Sequence, residues 1–271
     1  MVRRARLDAE LVRRGLAKSR QQAVELIADG RVLVKGVAAS KAATAVELDA
    51  PVLVRADDGP EWASRGALKL LGALRAFEPE GLSVAGRRCL DAGASTGGFT
   101  DVLLHNGATE VVAVDVGYGQ LVWRIQSDER VRVVDRTNVR YLEPAAIGGP
   151  VSLTVADLSF ISLRTVLPAL IACTEPGGDL LPMVKPQFEV GKQRLGSGGV
   201  VRDPELRLEA LTEIASFAAE AGLAVHGAVA SPAPGPAGNV EYFLWLRADP
   251  SPPSGRVTAD LLERAVREGP A

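Results

Sequence analysis

From Ser64 onward, short apolar runs alternate with stretches of helical spacing, and this alternation constrains the fold more than any other feature of the chain. The runs at 88–91, 110–115, 131–134, 151–156, 179–184, 223–229 and 241–247 read as strands, with helical segments between most of them. Strands separated by helices predict an α/β architecture, a parallel sheet covered by helices on both faces. In such a sheet a ligand binds beyond the carboxyl ends of the strands, so polar residues just past those ends are the candidates for function.

The first sixty residues follow a different pattern. Leu7, Leu11 and Val12 recur at helical spacing, and Gly15 ends that helix. Ser19-Arg20-Gln21-Gln22 predicts a capping box opening a second helix, with Ala23, Leu26 and Ile27 on its apolar face. Short β-like pieces follow at Val32-Leu33-Val34 and Val52-Leu53-Val54. Charge divides along the same line. Residues 1–41 hold ten Lys or Arg against four acids, a net +6, so the remainder of this chain of net charge -2 is about -8. A basic segment joined to an acidic one suggests a polyanion-binding module beside another activity, although a solvated basic face reads equally well from charge alone. Ala56 to Glu61 is a polar Pro/Gly break that marks the boundary. The expected organisation is a small α+β domain over 1–58, a linker over 59–63, the larger domain over 64–249, and a tail with a helix over 250–271.

Composition excludes several classes. Two distant cysteines (Cys89, Cys173) and two histidines offer neither a metal site nor a disulfide framework, so a reducing cytoplasm is expected. Leu7-Asp8-Ala9-Glu10 interrupts any apolar core behind the basic start, which argues against a secretory signal. The most apolar long stretch, 151–173, contains Asp157, Arg164 and Pro168 and is not expected to span a membrane.

The first large-domain strand runs into Asp91-Ala92-Gly93-Ala94-Ser95-Thr96-Gly97-Gly98-Phe99-Thr100. Glycines here let the backbone approach a cofactor and aim a helix N-terminus at it. The spacing is not the dinucleotide fingerprint, because Ser95 stands where GxGxxG requires glycine. The next strand ends in Asp115, suited to the two ribose hydroxyls of an adenosine. Asp91, Gly93, Ala94, Ser95, Gly97, Gly98, Phe99 and Asp115 are therefore the candidate cofactor-binding residues. Asp91 alone reads equally as a cap of the following helix.

Four further residues bear on chemistry. Asp157 and Lys185 each follow an apolar strand, and Glu241 begins the last one. If that strand runs antiparallel, its start lies at the same edge. Lys69 belongs to the helix before the first strand, and the sequence alone does not bring it there. Two amines and two carboxylates can deprotonate a hydroxyl for attack on a sulfonium methyl. Free lysine titrates near ~10.4, so a neutral amine needs a second cation or the sulfonium nearby, while carboxylates oppose the change. Taken singly, each residue reads more simply as a surface ion pair.

These motifs resemble known families. Arg6-Leu7-Asp8 through Ser19-Arg20, with Ala23, Ile27, Gly30, Val32, Val34 and Gly36, is similar to the S-four RNA-binding domain. That resemblance implies phosphate contacts from Arg4, Arg6, Arg13, Arg14, Lys18 and Arg20. The set Lys69, Asp157, Lys185 and Glu241 resembles the Lys-Asp-Lys-Glu tetrad of FtsJ-like ribose 2′-O-methyltransferases, whose sheet is Rossmann-like. Asp157-Leu158-Ser159-Phe160-Ile161-Ser162, Val184 to Lys192, Gly238 to Phe243 and Asp115 to Gln120 resemble the narrower TlyA family. The resemblance implies S-adenosyl-L-methionine as cofactor and cytidine 2′-O-methylation of 16S and 23S ribosomal RNA in ribosomal subunits. It further implies Lys185 as base, with Lys69, Asp157 and Glu241 orienting it and balancing charge, and a bearing on capreomycin-type antibiotic sensitivity. One departure stands out. The family's Arg-x-Trp-Val linker reads Pro60-Glu61-Trp62-Ala63 here, which puts a linker role in cofactor binding in doubt.

Other chemistries fit less well. Base N-methylation would call for an Asn/Asp-Pro-Pro-aromatic motif, whereas Leu158-Ser159-Phe160 follows Asp157. C5 methylation needs a catalytic cysteine, and Cys173 falls in an expected helix. Because relatives carry a hemolysin label, membrane activity is a competing reading, but no broad apolar helix face supports it and a tetrad would have no purpose there.

Overall fold

A computed structural model describes residues 4–28, 30–55, 61–235, 237–248 and 255–270. The chain divides into two compact units, Met1–Glu61 and Trp62–Ala271. Most of the break expected at 56–61, and the start of the expected tail, lie outside the described residues.

In the first unit, β1 (Arg4–Arg6) leads into α1 (Leu7–Arg13), followed by α2 (Arg20–Ala28), β2 (Val32–Val34), β3 (Val37–Ala38), β4 (Ala45–Glu47) and β5 (Val52–Val54). β1 pairs with β4, and β3, β2 and β5 form a second small sheet, all antiparallel. Leu7, Leu11, Ala23, Leu26, Ile27, Val32 and Val46 make the core. Gly15 takes φ +69° just past α1, a left-handed conformation that ends the helix at little cost only for glycine. The capping box is half as expected: Ser19 Oγ accepts the Gln22 amide at 3.1 Å. The return bond comes from the Lys18 amide, one residue before the cap, rather than from Ser19.

The second unit opens with α3 (Gly66–Phe77) and continues β6 (Arg88–Ala92), α4 (Gly98–His105), β7 (Glu110–Val114), α5 (Trp123–Gln126) and β8 (Val131–Val134). Then come β9 (Val151–Ala156), α6 (Leu163–Ala172), β10 (Thr174–Val184), α7 (Pro186–Glu189), α8 (Pro204–Glu220), β11 (Leu223–Ala230), β12 (Tyr242–Ala248) and α9 (Gly255–Glu268). One seven-stranded sheet results, in the order β11-β12-β10-β9-β6-β7-β8.

The sheet is mixed, and the direction left open for the last strand is antiparallel. β10, β9, β6, β7 and β8 are parallel, but β12 runs antiparallel between β10 and β11. The physical cause is the link of residues 231–241, which holds no crossover helix among the described residues and so returns the chain antiparallel. Side chains along the strands alternate between two cores. Cys89, Val111, Leu153 and Val155 pack with α3 and α4, whereas Leu90, Val112, Val114 and Ala156 pack with α6, α8 and α9. Helices thus cover both faces, and Leu262 and Ala265 of α9 are part of the second core.

Candidate functional site

The carboxyl ends of β6, β7, β8 and β9 open onto a cleft of about 590 Å³. Its lining includes Gly93 and Ser95 after β6, Asp115 after β7, Asn138 after β8, and Asp157 to Ile161 after β9. Gly93 has φ +89°, and a Cβ there would sit 2.6 Å from the Asp157 carbonyl oxygen. Only glycine lets the turn close this tightly. Ser95 is also left-handed, at φ +47°, and its amide donates to Asp115 Oδ2 at 2.9 Å. The Gly117 amide donates to Asp115 Oδ1 at 2.7 Å, so the carboxylate is held from both sides at the mouth of the cleft.

The other turn residues are placed differently. Gly97 packs against Leu121 and Ile125, and Gly98 against Ser64 and Ala67, so their missing side chains serve close packing. Ala94 and Phe99 are buried, with the Phe99 ring 5.8 Å from that of Phe243. Asp91 is fully buried and accepts the Thr100 hydroxyl at 2.7 Å, which ties β6 to α4. Its Oδ1 has no hydrogen-bond partner among the described residues. Burial pushes this carboxyl up to about 7, against the Thr100 bonds and with help from the Asp157 and Asp115 charges.

Lys69, Asp157, Lys185 and Glu241 meet at one end of the same sheet. Lys69 Nζ, from α3, lies 2.6 Å from Glu241 Oε2 and 3.5 Å from Asp157 Oδ2, with Met183 Sδ at 3.9 Å. Lys185 Nζ makes a contact ion pair with Asp157 Oδ1 at 2.5 Å and donates an aligned hydrogen bond to Ser159 Oγ at 3.0 Å. Its distance to Glu241 Oε1 is 3.9 Å. Asp157 therefore bridges two ammonium groups, one oxygen to each. The Glu241 carboxylate is only 1% exposed and receives the Gln187 amide at 3.3 Å. The antiparallel course of β12 brings it here, because Tyr242 pairs with Val184.

Side chains with no periodic signal complete the site. Glu189 of α7 accepts the Ser162 hydroxyl at 2.6 Å and the Leu163 amide at 2.8 Å, capping α6 and joining the loop after β9 to the segment after β10. Phe160 has φ +63°, is 91% exposed, and lies 5.2 Å from the Phe188 ring. Tyr118 and Tyr141, on the loops after β7 and β8, are also exposed and lie under Arg136 and Arg140. Gln120 and Asn138 line the cleft; a search of every parallel strand end would have reached Asn138. Within the altered linker, the Ala63 amide donates to Asp101 Oδ2 at 2.8 Å, and the Trp62 ring meets His105 edge-on.

In the first unit, two buried carboxylates organise the basic residues. Asp8 holds Arg6 at 2.9 Å and Arg20 at 3.0 Å, while Glu10 holds Arg13 and Arg14 at 2.6 Å each. Hydrogen bonds from Arg6 and from Arg13, respectively, keep these two acids below the usual carboxylate range. Arg6, Arg13 and Arg20 keep more than half of their side chains exposed, as do Arg4 and Lys18. Arg14 is drawn inward onto the Leu48 and Ala50 carbonyls and is the least available of the six.

This architecture matches known proteins. Residues 62–248 match the model of the FtsJ-like methyltransferase family, and residues 5–52 that of the S4 domain. The chain is 59% identical, over the whole of both sequences, to the 16S/23S rRNA (cytidine-2′-O)-methyltransferase TlyA of Mycobacterium tuberculosis. It is 35% identical to Hemolysin A of Brachyspira hyodysenteriae, over 88% of this chain and 98% of that protein. A solved Streptococcus thermophilus chain described as a hemolysin superimposes with a TM-score of 0.75 at 36% identity, covering 99% of this chain and 98% of the other. The two domains and the full-length identity make this chain a member of the TlyA family of FtsJ-like methyltransferases.

Proposed function

We propose that this protein methylates the ribose 2′-hydroxyl of cytidine in 16S and 23S ribosomal RNA, using S-adenosyl-L-methionine, in the cytoplasm where ribosomal subunits are found. The observation that carries this reading is the meeting of Lys69, Asp157, Lys185 and Glu241 beside the cleft at the carboxyl edge.

The cleft's residues fit the cofactor. The Gly93 turn and Asp115 line the cleft, Asp115 offers a fixed carboxylate for ribose hydroxyls, and Asp91 Oδ1, on β6 before that turn, is a buried acceptor without a partner among the described residues. When bound, S-adenosyl-L-methionine supplies a methyl carbon on a positively charged sulfur. The chain's own part is to remove the 2′-hydroxyl proton and exclude competing water. Lys185 takes that proton at Nζ, while Asp157 and Glu241 offset the charge of the two lysines. The S4 unit docks structured RNA through its exposed cations. Exposed Phe160, Tyr118 and Tyr141 offer stacking faces for unpaired bases at the catalytic edge.

Membrane lysis, suggested by the hemolysin names, finds no counterpart in this site, and no helix among the described residues is long and apolar enough to cross a membrane. The experiment is to map the modified nucleotide on ribosomal subunits, then offer the same RNA with a 2′-deoxy residue at that position. No methyl transfer to the deoxy substrate is expected. Equal transfer would make a base the acceptor and overturn the 2′-O assignment.

A further inference from the structure

The tetrad accounts for Lys185 only in part, because one of its closest partners, Ser159, stands outside it. A neutral amine has two N–H donors and one lone pair, and a general base works only if that lone pair faces the proton it removes. Around Lys185 Nζ, Ser159 Oγ at 3.0 Å accepts an aligned hydrogen bond, whereas Asp157 Oδ1 at 2.5 Å is an ion-pair contact that accepts none. Glu241 Oε1 is 3.9 Å away, too far to accept a hydrogen bond. Both close residues belong to the same short stretch after β9, and both line the cleft. Lys69 is arranged otherwise, enclosed by Glu241, Asp157 and the Met183 sulfur.

We propose that Ser159 is a positioning residue that aims the Lys185 amine, its hydroxyl oxygen accepting one N–H while Asp157 lies against the nitrogen without accepting a hydrogen bond, so that the lone pair points to the substrate hydroxyl. The inference rests on the reading of Lys185 as the base. In the step it serves, the ribose O–H bond breaks as an N–H bond forms at Nζ, and the proton later leaves Lys185 for solvent. Asp157 alone would leave the amine free to turn about a single contact. The aligned hydrogen bond to Ser159 fixes the rotation, and a hydroxyl does so without adding another negative charge.

Ser159 is itself exposed, so removing its hydroxyl opens no cavity. The test compares wild type, Ser159→Ala and Ser159→Thr on ribosomal subunits, measuring kcat, KM for the RNA, cofactor affinity by calorimetry, and the rate from pH 6 to 10. Ser159→Ala should lower kcat by about 10- to 100-fold at the high-pH plateau, with KM and cofactor affinity within twofold of wild type. The charged groups facing Lys185, namely Asp157 after β9, Glu241 before β12 and Lys69 on α3, are unchanged in all three proteins. Ser159→Thr keeps the oxygen and should retain kcat within about threefold.

An unaltered plateau in Ser159→Ala would overturn the proposal, as would a loss that threonine does not restore. A loss confined to KM or to cofactor affinity would also overturn it, making Ser159 a binding contact. If wild type itself places no methyl group on ribose, the functional reading falls and takes this inference with it. Normal wild-type transfer with an indifferent Ser159→Ala removes the inference alone.

Discussion

Lys69 Nζ lies 2.6 Å from Glu241 Oε2, although 172 residues separate them. One belongs to the helix before the first strand of the large sheet and the other to the residue before the last. The contact joins the two ends of the domain across its catalytic edge. Glu241 is almost wholly buried, so this is a buried ion pair. Lys69→Ala should therefore cost about 3–5 kcal/mol of stability, the range for breaking a buried pair by removing one member. In a double-mutant cycle with Glu241→Gln, the second change should recover part of that loss. Denaturant unfolding of the four proteins measures it, and strictly additive losses would show that the two groups do not support each other.

Lys185→Ala should abolish methyl transfer while cofactor and ribosomal-subunit binding survive, because the lost interaction belongs to the transition state. Single-turnover assays with saturating subunits, beside calorimetry for the cofactor, separate the two effects. A variant that still transfers methyl groups at a tenth of the wild-type rate or more would move the base elsewhere.

Asp115 is fixed by the Ser95 and Gly117 amides with its carboxylate at the mouth of the cleft. Hydrogen bonds to a charged group contribute roughly 1.5–3 kcal/mol, so Asp115→Ala should weaken cofactor binding by about 10- to 100-fold. Calorimetry on the folded variant checks this. Wild-type affinity would place the ribose contact on another residue.

Much of this was legible before any coordinates, and the reasons differ by residue. The strands were readable because each buries alternate side chains on two faces, as Cys89 and Leu90 do on opposite cores. Asp157 and Lys185 were readable as strand ends. The place of Lys69 was not, since periodicity gives the buried face of α3 but not what lies across 172 residues. The direction of β12 turned on the length of a loop, so Glu241 could be placed only conditionally. Gly97, Gly98 and Phe99 share a motif with Gly93, yet in the structure they serve packing, a distinction set by neighbours such as Leu121 and Ser64. Ser159, Glu189 and Asn138 act from loops and a single helical turn, where no period exists to mark them.

The first unit's cations can be tested without removing it. Arg4, Lys18 and Arg20 are each more than 60% exposed, and Asp8 keeps Arg6 when Arg20 is replaced. Changing all three to alanine should weaken RNA binding and lower the log–log salt slope by roughly one for each phosphate left unneutralised. Binding titrations at several salt concentrations read both quantities. An unchanged slope would mean that these side chains do not meet phosphates.

The last prediction concerns Asp91 and acidity. Burial raises its carboxyl from 3.8 to about 7 in the folded protein, so the folded chain holds a proton that the unfolded chain releases. The stability from that proton is full below the unfolded value, is lost as pH rises towards 7, and changes little beyond. At about 1.36 kcal/mol per unit, wild type should lose about 2–3 kcal/mol relative to Asp91→Asn between pH 5 and 8. Asparagine cannot ionise and shows no such decline. Urea midpoints for both proteins at pH 5, 6, 7 and 8, without cofactor, give the comparison. The same proton bears on binding, because Asp91 Oδ1 has no partner among the described residues and a cationic amine placed there would favour the ionised form. Cofactor affinity should then rise between pH 6 and 8 in wild type and stay level in Asp91→Asn. A stability difference that does not vary with pH would show that Asp91 is already ionised at pH 5, and the linked change in cofactor affinity would be absent as well.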